Sequence, residues 1–214
     1  MSDKKKVYVW ELPVRLTHWL NVICLLALSI TGFYVGNPFI YAQSSEQYIM
    51  GWMRFIHFVA AYVFLMSIII RLYWSIAGNK YSCMCSWLNL SGVIDDLKVY
   101  LFISKRSKAH VGHSALGGLT YLLLLGIFVF EIISGFALYS VTHTGTLWTI
   151  LGGWLTNVMY LQTIRLWHHL FMYVIAAFTL IHVYISFFSE SLEKSGLVTS
   201  IFTGYKSIAE EDIK

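Results

Sequence analysis

Four histidines lie inside otherwise apolar stretches of the chain: His18, His57, His168 and His182. A polar or ionisable side chain inside a membrane-spanning segment is costly, so it indicates a functional site that faces the interior of the protein. Paired imidazoles can ligate haem iron from both sides, and such sites transfer single electrons. The sequence therefore predicts haem ligation by pairs of histidines.

The elements that must position these rings are membrane helices. Of the 214 residues 57% are hydrophobic and 12% are charged, and the mean hydropathy is +0.65, which is typical of an integral membrane protein. We expect an all-α fold, an integral membrane four-helix bundle that forms a single transmembrane domain over residues 1–214. Four stretches are long enough to cross about 30 Å of hydrocarbon: residues 16–36, 51–77, 115–141 and 165–188.

The distribution of Lys and Arg predicts the orientation of these helices. Basic residues precede the first stretch, separate the second from the third and follow the fourth, whereas residues 37–53 and 142–164 contain none. Because cytoplasmic loops carry an excess of Lys and Arg, both termini should be cytoplasmic. The net charge of +4 then indicates contact with anionic lipids and not with nucleic acid.

Two loops predict short helices at the membrane surface. Residues 91–104 alternate apolar with charged side chains, a pattern typical of an amphipathic interfacial helix. Residues 146–160 carry Trp148 and Trp154, and tryptophan prefers the membrane interface.

The predicted topology pairs the histidines by depth. His57 and His168 fall near the outer face, and His18 and His182 near the inner face; we call them the outer pair and the inner pair. Fourteen residues separate His168 from His182, which corresponds to about 21 Å along a helix and about 40° of rotation. Starting from His169 the rotation is about 140°, so His168 is the preferred ligand.

Arginines support the same arrangement. Arg15, Arg54 and Arg165 each lie three residues before one of these histidines, one helical turn nearer water in the predicted topology. A guanidinium there can hold haem propionates by paired charge-assisted hydrogen bonds. Arg71, fourteen residues after His57, reaches the depth of the inner pair.

Small residues and cysteines leave alternatives open. Gly32, Gly117 and Gly135 lie where a flat macrocycle would need clearance, but small residues are also the ordinary packing surface of membrane helices. The histidines themselves could be hydrogen-bonded links between helices, whereas zinc would lack ligands. None of Cys24, Cys83 and Cys85 belongs to a Cys-x-x-Cys-His motif, so covalent haem is not expected, and Cys83 and Cys85 are expected to be free thiols.

Five segments of the chain together form a recognisable pattern: YVWELPVRLTHW at 8–19, TGFY at 31–34, RLYW at 71–74 with Gly78 and Asn79, VGHSALGG at 111–118 and RLWHH at 165–169. With them the chain resembles the b-type cytochrome subunit of membrane-bound nickel-iron hydrogenases, and the likeness extends over nearly the whole chain. The gamma subunit of respiratory formate dehydrogenase is a more distant relative that shares the four helices and the histidine arrangement. The resemblance implies a multi-pass protein of the bacterial inner membrane.

The resemblance implies a subunit with two haem b groups, of which the outer is the better supported. Its partners would be the iron-sulfur small subunit and the nickel-iron large subunit of a hydrogenase, and it would pass electrons through the outer and then the inner haem to a quinone. It would have no catalytic activity alone. Candidate hydrogen-bond donors to the quinone are His182, His110 and His113, while His143 and His169 receive no role.

Two other functions remain open at this stage. The first is the equivalent cytochrome subunit of a formate dehydrogenase or of a thiosulfate or polysulfide reductase. The second is a haem-free membrane anchor or a protein that relays protons through its histidines, which would be colourless.

Overall fold

The computed structural model describes residues 4–44, 46–83, 89–101, 103–104 and 111–210. Four of its helices are long and apolar enough to cross a membrane, which confirms the predicted all-α membrane fold. The position of the termini relative to the membrane stays a prediction. The long helices are α1 (Leu12–Gly36), α2 (Ile49–Ala77), α4 (Ala115–Ser140) and α6 (Leu161–Glu193).

Short helices occupy the two loops in which we expected them. The first loop contains α3 (Leu90–Tyr100), whose first turn is capped because the Asn89 side chain accepts a hydrogen bond from the Gly92 amide. The second contains α5 (Thr146–Leu151) and a 3-10 helix (Gly153–Asn157). A further helix, α7 (Leu197–Thr203), follows α6 and was not expected.

A two-stranded antiparallel sheet joins the two ends of the chain. Strand β1 (Lys4–Tyr8) pairs with β2 (Tyr205–Ala209), so that Lys4 lies opposite Ala209 and Tyr8 opposite Tyr205. This pairing was not expected from the sequence, because the two partners are separated by almost the whole chain and neither segment shows a clear strand pattern.

The chain divides into two compact units, and each long helix contributes one part to each unit. Unit 1 comprises Met1–Trp19, Ile68–Leu124 and Thr179–Lys214 and has a buried cluster of Val9, Trp10 and Val14. Unit 2 comprises Leu20–Ser67 and Leu125–Phe178 and is centred on Ala137, Leu155 and Ile164. The expectation of a single domain over residues 1–214 is left as a prediction.

The cysteines differ from expectation. Cys24 is buried and free, but Cys83 is disulfide-bonded, so the expectation of a free thiol there was wrong. Cys83 follows a turn outside any helix, and an irregular backbone can reach the Cα separation that a disulfide needs. Cys85 lies outside the described residues, as do Lys105, Arg106, Lys108 and His110 of the following loop.

Candidate haem-binding sites

In unit 2, α1 fixes the ring of His57. The Thr31 hydroxyl oxygen is 2.9 Å from His57 Nδ1, and that hydroxyl donates its own proton to the Ala27 carbonyl at 2.6 Å. Thr31 must therefore accept, and Nδ1 must donate. A histidine held in this way presents Nε2 to a metal, which is the usual role of such a hydrogen bond.

Helix α4 fixes the ring of His168 in a similar manner. His168 Nδ1 is 2.8 Å from the Ser134 hydroxyl oxygen and 3.0 Å from the Glu131 carboxylate. The Ser134 hydroxyl directs its own proton to the Glu131 backbone carbonyl at 3.2 Å, so its oxygen accepts, Nδ1 donates here as well, and Nε2 remains for a ligand. In unit 2, each ring of the predicted outer pair thus has its Nδ1 hydrogen-bonded to a side chain of a neighbouring helix, at 2.9 Å for His57 and 2.8 Å for His168.

Glycines border both rings of the outer pair. A Cβ at Gly32 would lie 3.2 Å from His57 Cε1, and one at Gly135 would lie 3.6 Å from His168 Cε1. Larger residues would crowd the space beside the imidazoles. Gly117, by contrast, has only Ser114 within 4 Å of such a Cβ among the described residues, so its predicted role in clearance gains no support.

The second histidine of the His168–His169 pair is held differently. His169 Nδ1 donates to the Arg165 carbonyl of its own helix at 2.8 Å, and its ring lies directly against Gly36 of α1. His168 thus has side-chain support from a neighbouring helix, whereas His169 has only a contact within α6 and close packing. This difference supports the preference for His168.

In unit 1, the inner pair also meets. The ring centroids of His18 and His182 are 6.4 Å apart, with the planes tilted by 49°. Two nitrogen-to-metal bonds of about 2 Å each, together with the distance from each nitrogen to its ring centre, add up to roughly 6 Å. The separation therefore fits an iron between the rings. His18 Nδ1 is buried and has no hydrogen-bond partner within the described residues, and His182 is exposed.

Two of the four predicted arginines are held in unit 1. Arg15 Nη1 donates to the Phe202 carbonyl, while its Nε is buried with no partner in the described part of the chain. Arg71 is 4% exposed and donates from Nη2 to the Ser82 carbonyl at 3.2 Å; its Nη1 has no partner among the described residues. Each guanidinium therefore has an N–H group, at Arg15 Nε and Arg71 Nη1, that could donate a hydrogen bond to an anionic group.

The other two arginines lie in unit 2 and are exposed. Arg165 Nη1 reaches Gln162 Oε1 at 3.5 Å, and Arg54 is an exposed residue of α2. Within the described residues, neither guanidinium group is hydrogen-bonded to a histidine ring; the contact between Arg165 and His169 is made by the Arg165 backbone carbonyl. Their proposed contact with propionates depends on side chains that are free to reorient.

His113 does not have the environment expected for a loop histidine. Its ring lies 4.8 Å from the Trp10 ring, and burial, with smaller contributions from Arg71 and Lys206, lowers its pKa to about 4. His113 is thus a neutral ring inside unit 1. His143, by contrast, is exposed and stacks on Tyr139 with centroids 3.8 Å apart.

The sequence did not single out the residues that orient the outer pair: Thr31, Ser134 and Glu131. Glu131 carried a usable signal, since an acid inside a membrane helix is rare and usually functional. Among the described residues no group of three or more His, Cys, Asp or Glu side chains could hold a metal ion. Haem needs fewer protein ligands, because its ring supplies four nitrogens and the protein one or two, so the paired histidines fit haem.

The helices and paired histidines define the class as a membrane cytochrome of the b type. Residues 9–204 match the model of the prokaryotic cytochrome b561 family, and the chain belongs to that family. It is accordingly a prokaryotic membrane protein that carries haem b.

Relatives cover nearly the whole chain. A probable Ni/Fe-hydrogenase B-type cytochrome subunit of Cupriavidus necator is 33% identical over 96% of this chain and 89% of its own length. The probable Ni/Fe-hydrogenase 1 B-type cytochrome subunit of Escherichia coli K12 is 33% identical over 94% and 90%. A third such subunit, of Rhizobium leguminosarum, is 30% identical over 98% and 92%.

Proposed function

We propose that this chain is the membrane-anchoring cytochrome subunit of a nickel-iron hydrogenase and carries two haem b groups, one at each histidine pair. The observation that carries the proposal is the 6.4 Å separation of the His18 and His182 rings, the distance expected of two axial ligands. The outer pair adds two imidazoles whose Nδ1 atoms are already bonded, at 2.9 Å for His57 and 2.8 Å for His168.

Haem b supplies a site that gains and loses one electron at a time. The chain supplies ligands, orientation and surroundings. Thr31 and Ser134 hold the outer imidazoles in one tautomer, and the apolar helices exclude water. The free donors of Arg15 and Arg71, with the exposed guanidiniums of Arg54 and Arg165, would hold propionates.

The partners follow from the relatives. Their names describe B-type cytochrome subunits of Ni/Fe hydrogenases, so the electron donor would be the iron-sulfur small subunit, bound with the nickel-iron large subunit at the outer face. Electrons would pass from the outer to the inner haem and then to a quinone, with protons taken from the cytoplasm.

The quinone would bind near the inner pair. His182 is exposed, so its surroundings are accessible from the membrane. His113 is a weaker candidate than the sequence indicated, because its ring packs against Trp10 inside unit 1, at 4.8 Å between ring centroids. His110 lies outside the described residues.

Both termini would lie in the cytoplasm, and the protein would reside in the bacterial inner membrane. Fusions of a cytoplasm-active fluorescent reporter and of a periplasm-active phosphatase at Lys214 would test this orientation. Fluorescence without phosphatase activity is expected, and the reverse result would invert the proposed direction of electron flow.

The central experiment is a reduced-minus-oxidised spectrum with pyridine haemochrome quantitation on the purified chain and on His57→Ala and His182→Ala. We expect two b haems in the parent and one in each variant. Copurification with the hydrogenase subunits, followed by hydrogen-dependent reduction of a quinone, would test the partner. Copurification with a formate dehydrogenase or a sulfur-compound reductase instead would replace the proposed partner but leave the cytochrome function unchanged. A colourless protein would eliminate the proposal.

A further inference from the structure

A carboxylate lies inside membrane helix α4 against the ring of His168. Glu131 Oε2 is 3.0 Å from His168 Nδ1, and the His168 and Glu131 side chains are only 18% and 16% exposed. The other carboxylate oxygen, Oε1, is buried and has no hydrogen-bond partner in the described part of the chain. An acidic side chain inside a membrane helix costs free energy unless it is paired. The contact with the His168 ring is the pairing that the structure shows for Glu131.

The same ring nitrogen has a second, neutral neighbour. The Ser134 hydroxyl oxygen is 2.8 Å from His168 Nδ1, and the hydroxyl proton is directed to the Glu131 backbone carbonyl at 3.2 Å. His168 carries one proton on Nδ1, so Ser134 and the Glu131 carboxylate share or compete for it.

The corresponding contacts of other proposed ligands are different. The Nδ1 atom of His57 meets the neutral hydroxyl of Thr31 at 2.9 Å. The Nδ1 atom of His18 is buried without a partner among the described residues. A carboxylate beside its ring therefore distinguishes His168 from His57 and His18.

We propose that Glu131 is a positioning residue that accepts the Nδ1 proton of His168 and lowers the midpoint potential of the haem at the outer pair. This inference depends on the proposed function, since it takes His168 as an axial ligand. A bound haem b would be reduced by one electron, and an ionised Glu131 carboxylate that makes the imidazole more basic would favour the ferric form and oppose that electron. A lower potential at the outer site favours onward transfer to the inner site.

The first test is a redox titration of the purified full chain and of Glu131→Gln and Glu131→Asp, monitored by visible absorption and by low-temperature EPR of the ferric state. Glutamine keeps an acceptor of the same shape but has no charge. We expect Glu131→Gln to retain both haems and to favour reduction of one haem about tenfold, an upward shift of about 59 mV for a one-electron couple. Glu131→Asp keeps the charge, so its potential should lie closer to that of the parent than the potential of Glu131→Gln does. In Glu131→Gln, the g values of only one of the two haems should change.

A second variant decides the question even if Glu131→Gln fails to fold. Ser134→Ala removes the neutral competitor and leaves the carboxylate in place. If Glu131 is the functional acceptor, its bond to Nδ1 strengthens and the potential of that haem shifts downward. If Ser134 alone is the acceptor, the ring loses its partner and the potential shifts upward, which would overturn the proposal.

The remaining outcomes separate this inference from the function on which it depends. Unchanged potentials and g values in Glu131→Gln, or equal shifts of both haems, would reject the role of Glu131 while the cytochrome function stands. If His168→Ala retains both haems, the ligand assignment itself fails, whatever Glu131 does.

Discussion

The rings of His18 and His182 lie 6.4 Å apart, centroid to centroid, although they belong to the first and the last of the four long helices. Neither ring is needed to cap a helix or to close a turn. Their approach therefore serves no evident local purpose and fits a shared metal between them.

The choice between the adjacent histidines of α6 can be tested directly. His168→Ala should lose one b haem, because it removes a ring oriented by Ser134 and Glu131. His169→Ala should retain both, because the His169 ring is hydrogen-bonded to its own helix backbone. Haemochrome quantitation of the two variants measures the difference, and the opposite pattern would assign the ligand to His169.

Thr31→Val should weaken haem binding at the outer pair. It removes the acceptor of the His57 Nδ1 proton, and loss of such a supporting contact typically weakens metal binding by roughly tenfold to a hundredfold. Haem titration of the apoprotein measures the effect. Thr120→Val is the matched control, since Thr120 bonds to carbonyls of its own helix; an equal loss there would indicate a general effect of the substitution.

Gly152→Ala should destabilise the protein by about 1–3 kcal/mol, the usual cost of overpacking. A Cβ there would overlap the Ile133 carbonyl and lie 2.7 Å from Phe136 Cβ and 2.8 Å from the Ala137 amide nitrogen, and the backbone atoms cannot rotate away. Gly126→Ala is the control, because no other segment of the described chain comes within 4 Å of its added Cβ. Thermal unfolding in detergent should distinguish the two, and equal melting temperatures would contradict the close approach at Gly152.

Acidification should reduce stability through His113. Its folded-state pKa is lowered to about 4 from an ordinary 6.5, chiefly by burial, so the unfolded state binds the proton first. Stability is therefore lost as the pH falls from about 6.5 to about 4, by at most about 3 kcal/mol. His113→Gln should flatten this part of the stability curve, measured by denaturant titration at each pH. A slope that persists in the variant would assign the effect to another group.

Glu11 should contribute stability at neutral pH. Its carboxylate accepts hydrogen bonds from the Asn79 amide at 2.7 Å and the Trp74 ring N–H at 2.9 Å, and the Asn79 contact lowers the pKa of Glu11 despite an opposing effect of burial. The contribution is complete above the ordinary value of about 4.3 and is lost as the pH falls through the folded-state pKa.

Glu11→Gln should accordingly cost about 2 kcal/mol at pH 7, in the range of hydrogen bonds to charged groups. Glu46→Gln, at an exposed loop position, should leave the free energy of unfolding unchanged. An unchanged free energy of unfolding in Glu11→Gln would mean that the charge of Glu11 does not strengthen its hydrogen bonds to Trp74 and Asn79.

The sequence by itself determined the four spans, and it predicted the pairing of the histidines by depth. Both follow from local rules, since hydropathy reports helix length and the helical repeat converts sequence spacing into rise and rotation. These rules also favoured His168 over His169. They did not predict the full length of α6, which begins before and ends after the predicted span of residues 165–188.

Tertiary structure decided what surrounds each ring. The contacts of Thr31 with His57 and of Glu131 with His168 join different helices, so they depend on helix rotations that no single segment specifies. His113 packs against Trp10, and β1 pairs with β2, so these contacts likewise join distant parts of the chain. Packing between segments determined these features, and local sequence patterns carry no record of such packing.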